Sequence, residues 1–481
     1  MTSLKHKTVS GMLWVGLQRF GTVIISFLSN IVLARLLTPA DFGYIGMLMV
    51  FIAVSTSFVD GGFGSALIQK SKPTQEDYST VFYWNIFLSI VLYTILYFCA
   101  PLIADFYKMD ILTKILRVEG VILIINALTI IQFNKLRKTM QFKKIAYVNI
   151  TAAIISVIVA IIYAYYGGGV WALVWQQIVL GIVNVIMLFI VMPWKPSLVF
   201  SIQSFKGLFK FGSFVLLSSL INTAFNNMSA LIVGRFFSAG TLGYLTQAQK
   251  IENVGSTSIL TTVEQVTYPL LVEVKEDFNR MTKVLRTFNV MLMAFVTPVM
   301  LSVMVAAKPI IIFLFGNKWL PSAEILQILC IAGIFVCLQG CNYNVIAAIG
   351  KSNVLFRWTI IKRSVGIGLI FLGLFVYGFQ GVLWGLVGSA IFIWISNAWL
   401  VSHYIRYNLS RQLLDLLPIM ILGIISLGLT YFFKIFILTG VHDIVYAIML
   451  LCFYLAPLLL SRYPVFLGIR ENIKSVFRHN T

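Results

Sequence analysis

Arg19, Thr22, Ser26 and Ser29 recur at intervals of three and four inside an apolar stretch, which places them on one face of a helix. Two hundred residues later the same positions hold Ser219, Asn222, Asn226 and Ser229. A charge at membrane depth is costly, so it faces a cavity or a partner. Hydrogen bonding between helices accounts for the serines but not for an arginine. A second stripe, Gln247, Lys250, Thr257, Thr261 and Glu264, is predicted to span about one third of a helix circumference. There Lys250 supplies positive charge, and Glu264 is its counter-ion or a coupling carboxylate. Asp60, in Asp60-Gly61-Gly62-Phe63-Gly64, closes an apolar stretch as either a solvated interface residue or a functional carboxylate. Arg35 and Arg235 end their stretches, where snorkelling toward headgroups competes with a role in substrate release. Gln18, Asn134, Gln176, Gln177, Asn184, Asn342 and Asn344 add amides at membrane depth. Amides and hydroxyls with few cations suit sugars and a phosphate, whose oxygens an arginine fork binds two at a time.

The chemistry missing from the chain narrows the reading. The four histidines (His6, His403, His442, His479) all lie at termini or ends of apolar stretches, so neither histidine catalysis nor a metal cluster is expected. Cys99, Cys330, Cys337, Cys341 and Cys452 fall inside apolar segments and read as small buried hydrophobes. No G-x-x-x-x-G-K-[ST] sequence is present, so the chain does not hydrolyse ATP through a P-loop. The expectation is a transporter without cofactor, not an enzyme. Its energy comes from an H+ or Na+ gradient, the membrane potential, or consumption of the product.

The elements that position these residues are membrane helices. Of 481 residues 59% are hydrophobic and 11% charged, at a mean hydropathy of +0.94, too few charges to cover a soluble surface. Fourteen segments are long and apolar enough to cross: 10–36, 41–68, 80–104, 112–134, 145–166, 169–193, 211–236, 241–270, 287–307, 322–347, 355–376, 380–403, 413–435 and 442–460. The first carries no small-residue cleavage site and reads as an uncleaved helix. Of the 36 Lys and Arg, alternate loops and the two termini hold 26 and the opposite loops 8, with Arg19 and Lys250 inside spans. That asymmetry predicts an inner-membrane protein with both termini cytoplasmic. The net charge of +20 therefore reflects topology and anionic headgroups of the phospholipid bilayer, and no nucleic acid is expected as a partner.

The chain also repeats. Ser29 to Met47 aligns with Ser229 to Gln247, with Ser29/Ser229, Arg35/Arg235, Gly43/Gly243 and Tyr44/Tyr244 identical. Tyr165-Tyr166-Gly167-Gly168-Gly169-Val170-Trp171 resembles the stretch from Val376 to Trp384 at a slightly larger offset. The expected fold is all-α and polytopic, two six-helix lobes related by a pseudo-twofold axis along the membrane normal, plus two C-terminal helices. The expected domains are 1–200, 201–408, and 409–481 with its basic tail. Such repeats place a substrate cavity at their interface, opened alternately to each side.

Several motifs together resemble the polysaccharide exporters, Wzx-type flippases of the multidrug/oligosaccharidyl-lipid/polysaccharide (MOP) superfamily, in their colanic acid exporter-like branch. They are Lys7-Thr8-Val9-Ser10-Gly11 with Trp14, Ala34-Arg35-Leu36-Leu37-Thr38-Pro39 with Asp41-Phe42-Gly43, and Asp60 to Gly64 followed by Leu67-Ile68-Gln69-Lys70. Tyr83-Trp84-Asn85, Phe142-Lys143-Lys144-Ile145 and Phe315-Gly316-Asn317-Lys318-Trp319 extend the match over nearly the whole chain. The resemblance implies a V-shaped fold. It also implies transfer of undecaprenyl-pyrophosphate-linked oligosaccharide, a surface-polysaccharide precursor, between leaflets by alternating access, in company with polysaccharide polymerase and export machinery. Two other readings stand beside it: a cation-coupled exporter of small amphiphiles, and a membrane glycan polymerase or ligase, which the short external loops disfavour.

Overall fold

A computed structural model describes residues 2–405, 407–436 and 442–460. The basic tail after 460, with His479, lies outside the described residues. Everything regular in the described residues is helical. Contacts divide the chain into two units, Met1–Gly243 and Tyr244–Thr481.

The first unit holds α1 (Thr2–Leu36), α2 (Pro39–Asp60), α3 (Phe63–Gln69), α4 (Gln75–Tyr107), α5 (Ile111–Glu119), α6 (Ile122–Lys138), α7 (Phe142–Tyr165), α8 (Trp171–Val191), α9 (Ile202–Asn226) and α10 (Met228–Phe236), and α11 (Ala239–Gly255) begins in it. The helix starts are written in the sequence. Thr38 and Thr74 accept from the backbone N–H groups of Asp41 and Asp77, whose carboxylates accept from the cap N–H groups in return. These capping boxes satisfy donors that lipid cannot. Several apolar stretches are broken rather than continuous. Gly61 and Gly62, both left-handed (φ 55° and 69°), separate α2 from α3, and Gly120–Val121 separate α5 from α6. Lys138 closes the α3 end by donating to the carbonyls of Leu67 and Ile68, each at 3.0 Å, and of Lys70.

In lipid the hydrophobic effect does not pull helices together, so close approach and internal hydrogen bonds must. The unit shows both. Side chains of Phe63, Leu67, Val81, Phe82, Ile131 and Trp194 form a buried cluster under α3 and α4. Backbones meet where glycine permits: a Cβ on Gly62 would lie 2.3 Å from the Gly212 carbonyl oxygen. At the starts of α2 and α11 the approach is reciprocal. A Cβ on Gly43 would lie 1.8 Å from the Ala239 carbonyl oxygen, and one on Gly243 1.9 Å from that of Pro39. These are the glycines that the internal repeat makes equivalent.

The second unit continues with α12 (Thr257–Glu273), α13 (Phe278–Val305), α14 (Ala307–Phe315), α15 (Pro321–Ala348), α16 (Ser352–Ser402), α17 (Leu409–Phe436) and α18 (Asp443–Leu460). Helix α15, packed on α13 and α16, is its axis and is the most buried of the apolar helices. Helix α16 folds back at Tyr377 and Gly378, where the backbone leaves helical geometry (Gly378 φ 59°), and Gly373 faces Gly381 across that hairpin at backbone contact. The C-terminal pair is tied on by a polar clamp. Arg286 of α13 donates to Asp415 of α17 at 2.5 Å, and the Tyr407 hydroxyl donates to the other carboxylate oxygen at 2.9 Å.

Among the described residues, eleven helices are long and apolar enough to cross a membrane. The chain is a multi-pass membrane protein.

Candidate functional site

In the first unit the sequence-derived residues fall on α1, α2 and α9. The α1 stripe divides by depth of cover. Ser29 is buried and accepts from the Gln176 amide of α8 at 2.9 Å, so this end joins helices. Thr22 is half-buried, and its hydroxyl bonds back to the Gln18 carbonyl at 2.8 Å. Arg19 and Ser26 are exposed. On α9, Ser219, Asn222 and Asn226 are likewise exposed. Helix α1 packs along α7, and α9 along α2 and α3. Both stripes thus present polar groups away from their own packing faces. Exposed asparagines on a membrane helix call for water or a ligand in place of lipid. Arg235 is half-buried with its guanidinium 5.0 Å from the Phe106 ring, a packing role, while Arg35 is exposed.

Asp60 belongs to a defined cavity. Together with Thr56, Asn126, Thr129, Asn134 and Arg137 it lines a space of about 270 Å³ between α2 and α6. The Asp60-Gly61-Gly62-Phe63-Gly64 motif explains its shape. The two left-handed glycines turn the chain, and a Cβ on Gly64 would stand 2.8 Å from the Asn134 amide and 3.2 Å from Asp60 Oδ1. Gly64 therefore leaves the polar wall bare. The Asn134 amide is buried without a hydrogen-bond partner, a group ready for water or a ligand.

The second unit holds the other stripe. At the buried Ser256, between α11 and α12, the backbone stays right-handed (φ −98°, ψ −65°), with its N–H donating to the Glu252 carbonyl at 2.9 Å and its carbonyl accepting from Leu260 at 3.0 Å, so Gln247 to Glu264 run through one locally distorted turn. Gln247 is fully buried, and Lys250 and Thr257 are exposed, with the Thr257 hydroxyl 3.0 Å from Asn253 Oδ1. Glu264 is half-buried, and its Oε1 sits where a Cβ on Gly340 would be, only 2.1 Å away. The sequence reading missed Glu252, which stands against Gly333 in the same way with Oε1 buried and unbonded. It also missed Lys362, counted there among the basic residues of a loop. Lys362 lies ten residues into α16, buried, donating to Asn397 Oδ1 at 2.9 Å above the Tyr343 ring. Asn397 in turn donates to the Gln339 carbonyl at 3.1 Å. Glu119 escaped notice as well. It is the lone acidic residue of 111–138, and that solitude inside an apolar stretch was the available signal. Among the described residues no group of three His, Cys, Asp or Glu could hold a metal ion.

Comparison with known proteins gives a consistent picture. A family described as "Polysaccharide biosynthesis protein" matches residues 32–324. The teichuronic acid biosynthesis protein TuaB of Bacillus subtilis is 27% identical over 448 residues, covering 89% of this chain and 90% of that protein. The lipopolysaccharide biosynthesis protein WzxC of Escherichia coli is 23% identical, over 80% of this chain and 78% of its own. Among solved structures, lipid II flippase MurJ in an inward closed conformation superposes at a TM-score of 0.71 with 18% identity, covering 96% of this chain and 100% of that one. An inward-facing multidrug resistance MATE transporter of the MOP superfamily superposes at 0.62, with 13% identity, over 85% of this chain and 98% of the other. At these identities the structures share the fold.

Proposed function

The chain belongs to the polysaccharide biosynthesis protein family, and we propose that it is a flippase that moves undecaprenyl-pyrophosphate-linked oligosaccharides from the cytoplasmic to the outer leaflet of the inner membrane by alternating access. The observation that carries this reading is the pair of exposed polar stripes, Arg19 with Ser26 and Asn222 with Asn226, on helices the repeat makes equivalent. A sugar chain needs amides and hydroxyls, and a pyrophosphate needs an always-charged fork. Arg19, Thr22, Ser26, Asn222 and Asn226 of the first unit, and Lys250, Thr257 and Glu264 of the second, are the residues proposed to meet substrate, with Asp60 in its own polar pocket. Family membership and the full-length likeness to a lipid II flippase support the same substrate class.

The finer architecture follows from the same reading. Fourteen spans result when α16 counts as two spans parted at Gly378, α11 and α12 as one span, and α18 as the last, alongside ten of the eleven long helices. They group as two pseudo-twofold lobes, 1–200 and 201–408, with two further helices in 409–481. The charge asymmetry of the loops supports cytoplasmic termini. The flipped precursor is then consumed by a polymerase and export machinery, and the chain itself acts without catalysis or cofactor.

The test is deletion of the gene followed by a leaflet-specific assay of lipid-linked oligosaccharide, with wild-type, Arg19→Ala and Arg19→Lys copies restored. Accumulation in the cytoplasmic leaflet, reversed by the wild type but not by Arg19→Ala, is the expected result. A normal leaflet distribution in the deletion strain, coupled to new sensitivity to amphiphilic drugs, would replace the flippase by a small-molecule exporter.

A further inference from the structure

Glu119 ends α5, where the crossing breaks at Gly120–Val121 before α6 resumes it. It is 1% exposed. Its Oε1 accepts a hydrogen bond from the Gln177 amide of α8 at 2.8 Å, while Oε2 is buried with no partner among the described residues. A carboxylate held this way, with one neutral hydrogen bond and no cation, is poorly compensated, and adding a proton removes the charge.

The surrounding elements supply no counter-ion. Helix α8 carries no charged residue, and the carboxylates of α2, Asp41 and Asp60, stand near its two ends. On α4, Glu76, Asp77 and Asp105 lie near the ends. The α4 group facing this turn is Tyr93, whose ring backs Gly120 and whose hydroxyl donates to the Arg117 carbonyl at 3.1 Å. On α5 itself Lys114 is exposed, and Arg117 turns to the Tyr97 ring at 4.5 Å.

A polar seam leads away from this carboxyl group. Beyond Glu119, α6 places Asn126, Thr129, Asn134 and Arg137 at helical spacing, and all four line the 270 Å³ cavity with Asp60. Helix α8 faces that row with Gln177, Gly181 and Asn184, spaced by four and three. Gly181 lets α6 approach, since a Cβ there would lie 2.7 Å from Ile125 and 3.8 Å from Asn126 Oδ1. Asn184 Oδ1, on the same seam, is a buried acceptor with no side-chain or backbone donor among the described residues.

We propose that Glu119 is a proton-binding site through which transport is coupled to a proton gradient, with the α6–α8 seam and the Asp60–Arg137 cavity as its route to water. This rests on the flippase reading for what is transported, but not for the site itself. In the conformation described the carboxyl group holds its proton. When the seam hydrates, the O–H bond breaks, the proton passes to water in the cavity, and the carboxylate keeps its hydrogen bond from Gln177. Reprotonation after the conformational change closes the cycle.

Full-length protein in liposomes tests the site in two ways. First, pH-difference infrared spectroscopy reads the carboxylic C=O stretch. The wild type is expected to show a titrating band that Glu119→Gln lacks and Glu119→Asp shifts. A spectrum unchanged by Glu119→Gln overturns the site. Second, a fluorescent lipid-linked oligosaccharide reports flipping under imposed gradients. Each coupled proton makes one pH unit worth about tenfold in the leaflet ratio, and Glu119→Gln is expected to flip without that response. A ratio that follows a sodium gradient at fixed pH overturns the proton as the coupling ion. A titrating band in a protein that flips nothing leaves the proton site standing and refutes the flippase. Should Glu119→Gln fail to fold, the band shift in Glu119→Asp decides the matter.

Discussion

Replacing Gly43 by alanine tests the packing of the first unit at its tightest point. The added Cβ would meet the Ala239 carbonyl oxygen at 1.8 Å, the carbonyl carbon at 2.5 Å and the Cα at 2.9 Å. All three are backbone atoms, so no rotamer change relieves the clash. Reaching even 3.0 Å from the oxygen requires the helix starts to part by at least 1.2 Å, the difference between 3.0 and 1.8 Å. A gap of that size forfeits much of the dispersion energy of the crossing, and overpacking of this kind costs about 1–3 kcal/mol. For a unit of this length each kcal/mol is worth roughly 2–4 °C, so the expected fall in melting temperature is about 2–12 °C. Gly243→Ala meets the Pro39 oxygen at 1.9 Å and is expected to cost about as much. Because both substitutions open the same crossing, the double variant should cost clearly less than the sum of the singles. Gly428→Ala in α17, with nothing within 4 Å of the new Cβ, is the control and should be close to neutral. Thermal unfolding in one detergent, followed by intrinsic fluorescence, reads all four. Additive single effects, or a Gly43→Ala protein as stable as the control, would refute the reciprocal crossing.

Asp415→Asn removes the ionic acceptor of Arg286, which is half exposed, and is expected to cost about 1.5–3 kcal/mol. Tyr407→Phe, which removes only the second donor to that carboxylate, should cost about 0.5–1.5 kcal/mol in the same unfolding assay. Lys138→Met frees the carbonyls at the end of α3, and limited proteolysis is expected to cut sooner between Gln69 and Thr74. An unchanged cleavage rate would show that the cap is dispensable. Gly64→Leu fills the cavity wall beside Asp60 and Asn134 and is expected to lower export while leaving membrane insertion intact, read by surface polysaccharide and by membrane-fraction immunoblot.

The apolar stretches were legible because membrane solvent demands length and composition, and both are local properties of the sequence. The helix starts at Pro39 and Gln75 were legible in principle for the same reason, since Thr-x-x-Asp capping acts within four residues. The breaks were not. Gly120–Val121 parts α5 from α6 with a single glycine and no proline to mark the place. Arg19 and Asp60 could be picked out because a charge is conspicuous against an apolar background. Lys362 could not, because Arg357 and Arg363 in the same predicted crossing, 355–376, kept it from standing out, and only tertiary structure shows Asn397 and Tyr343 around its amine.

The duplication separates scaffold from chemistry. At an offset of 200 the residues that set packing recur: α1 and α10 end at Leu36 and Phe236, α2 and α11 begin at Pro39 and Ala239, and Gly43 and Gly243 make the reciprocal approach. Arg35 and Arg235 recur as well, but four other charged candidates do not. Arg19 stands opposite Ser219 in the repeat, Asp60 opposite Leu260, Lys250 opposite Val50, and Glu264 opposite Gly64. These four charges therefore stand in one copy apiece, while the packing residues stand in both. A lipid-linked oligosaccharide fits that asymmetry, because its pyrophosphate and its sugars are different ends of one molecule and cannot be met by two identical walls. Restoring symmetry is therefore the informative perturbation: Ser219→Arg should leave folding intact and impair export by placing a second cation at the exposed Ser219 of α9, read by membrane-fraction immunoblot and surface polysaccharide.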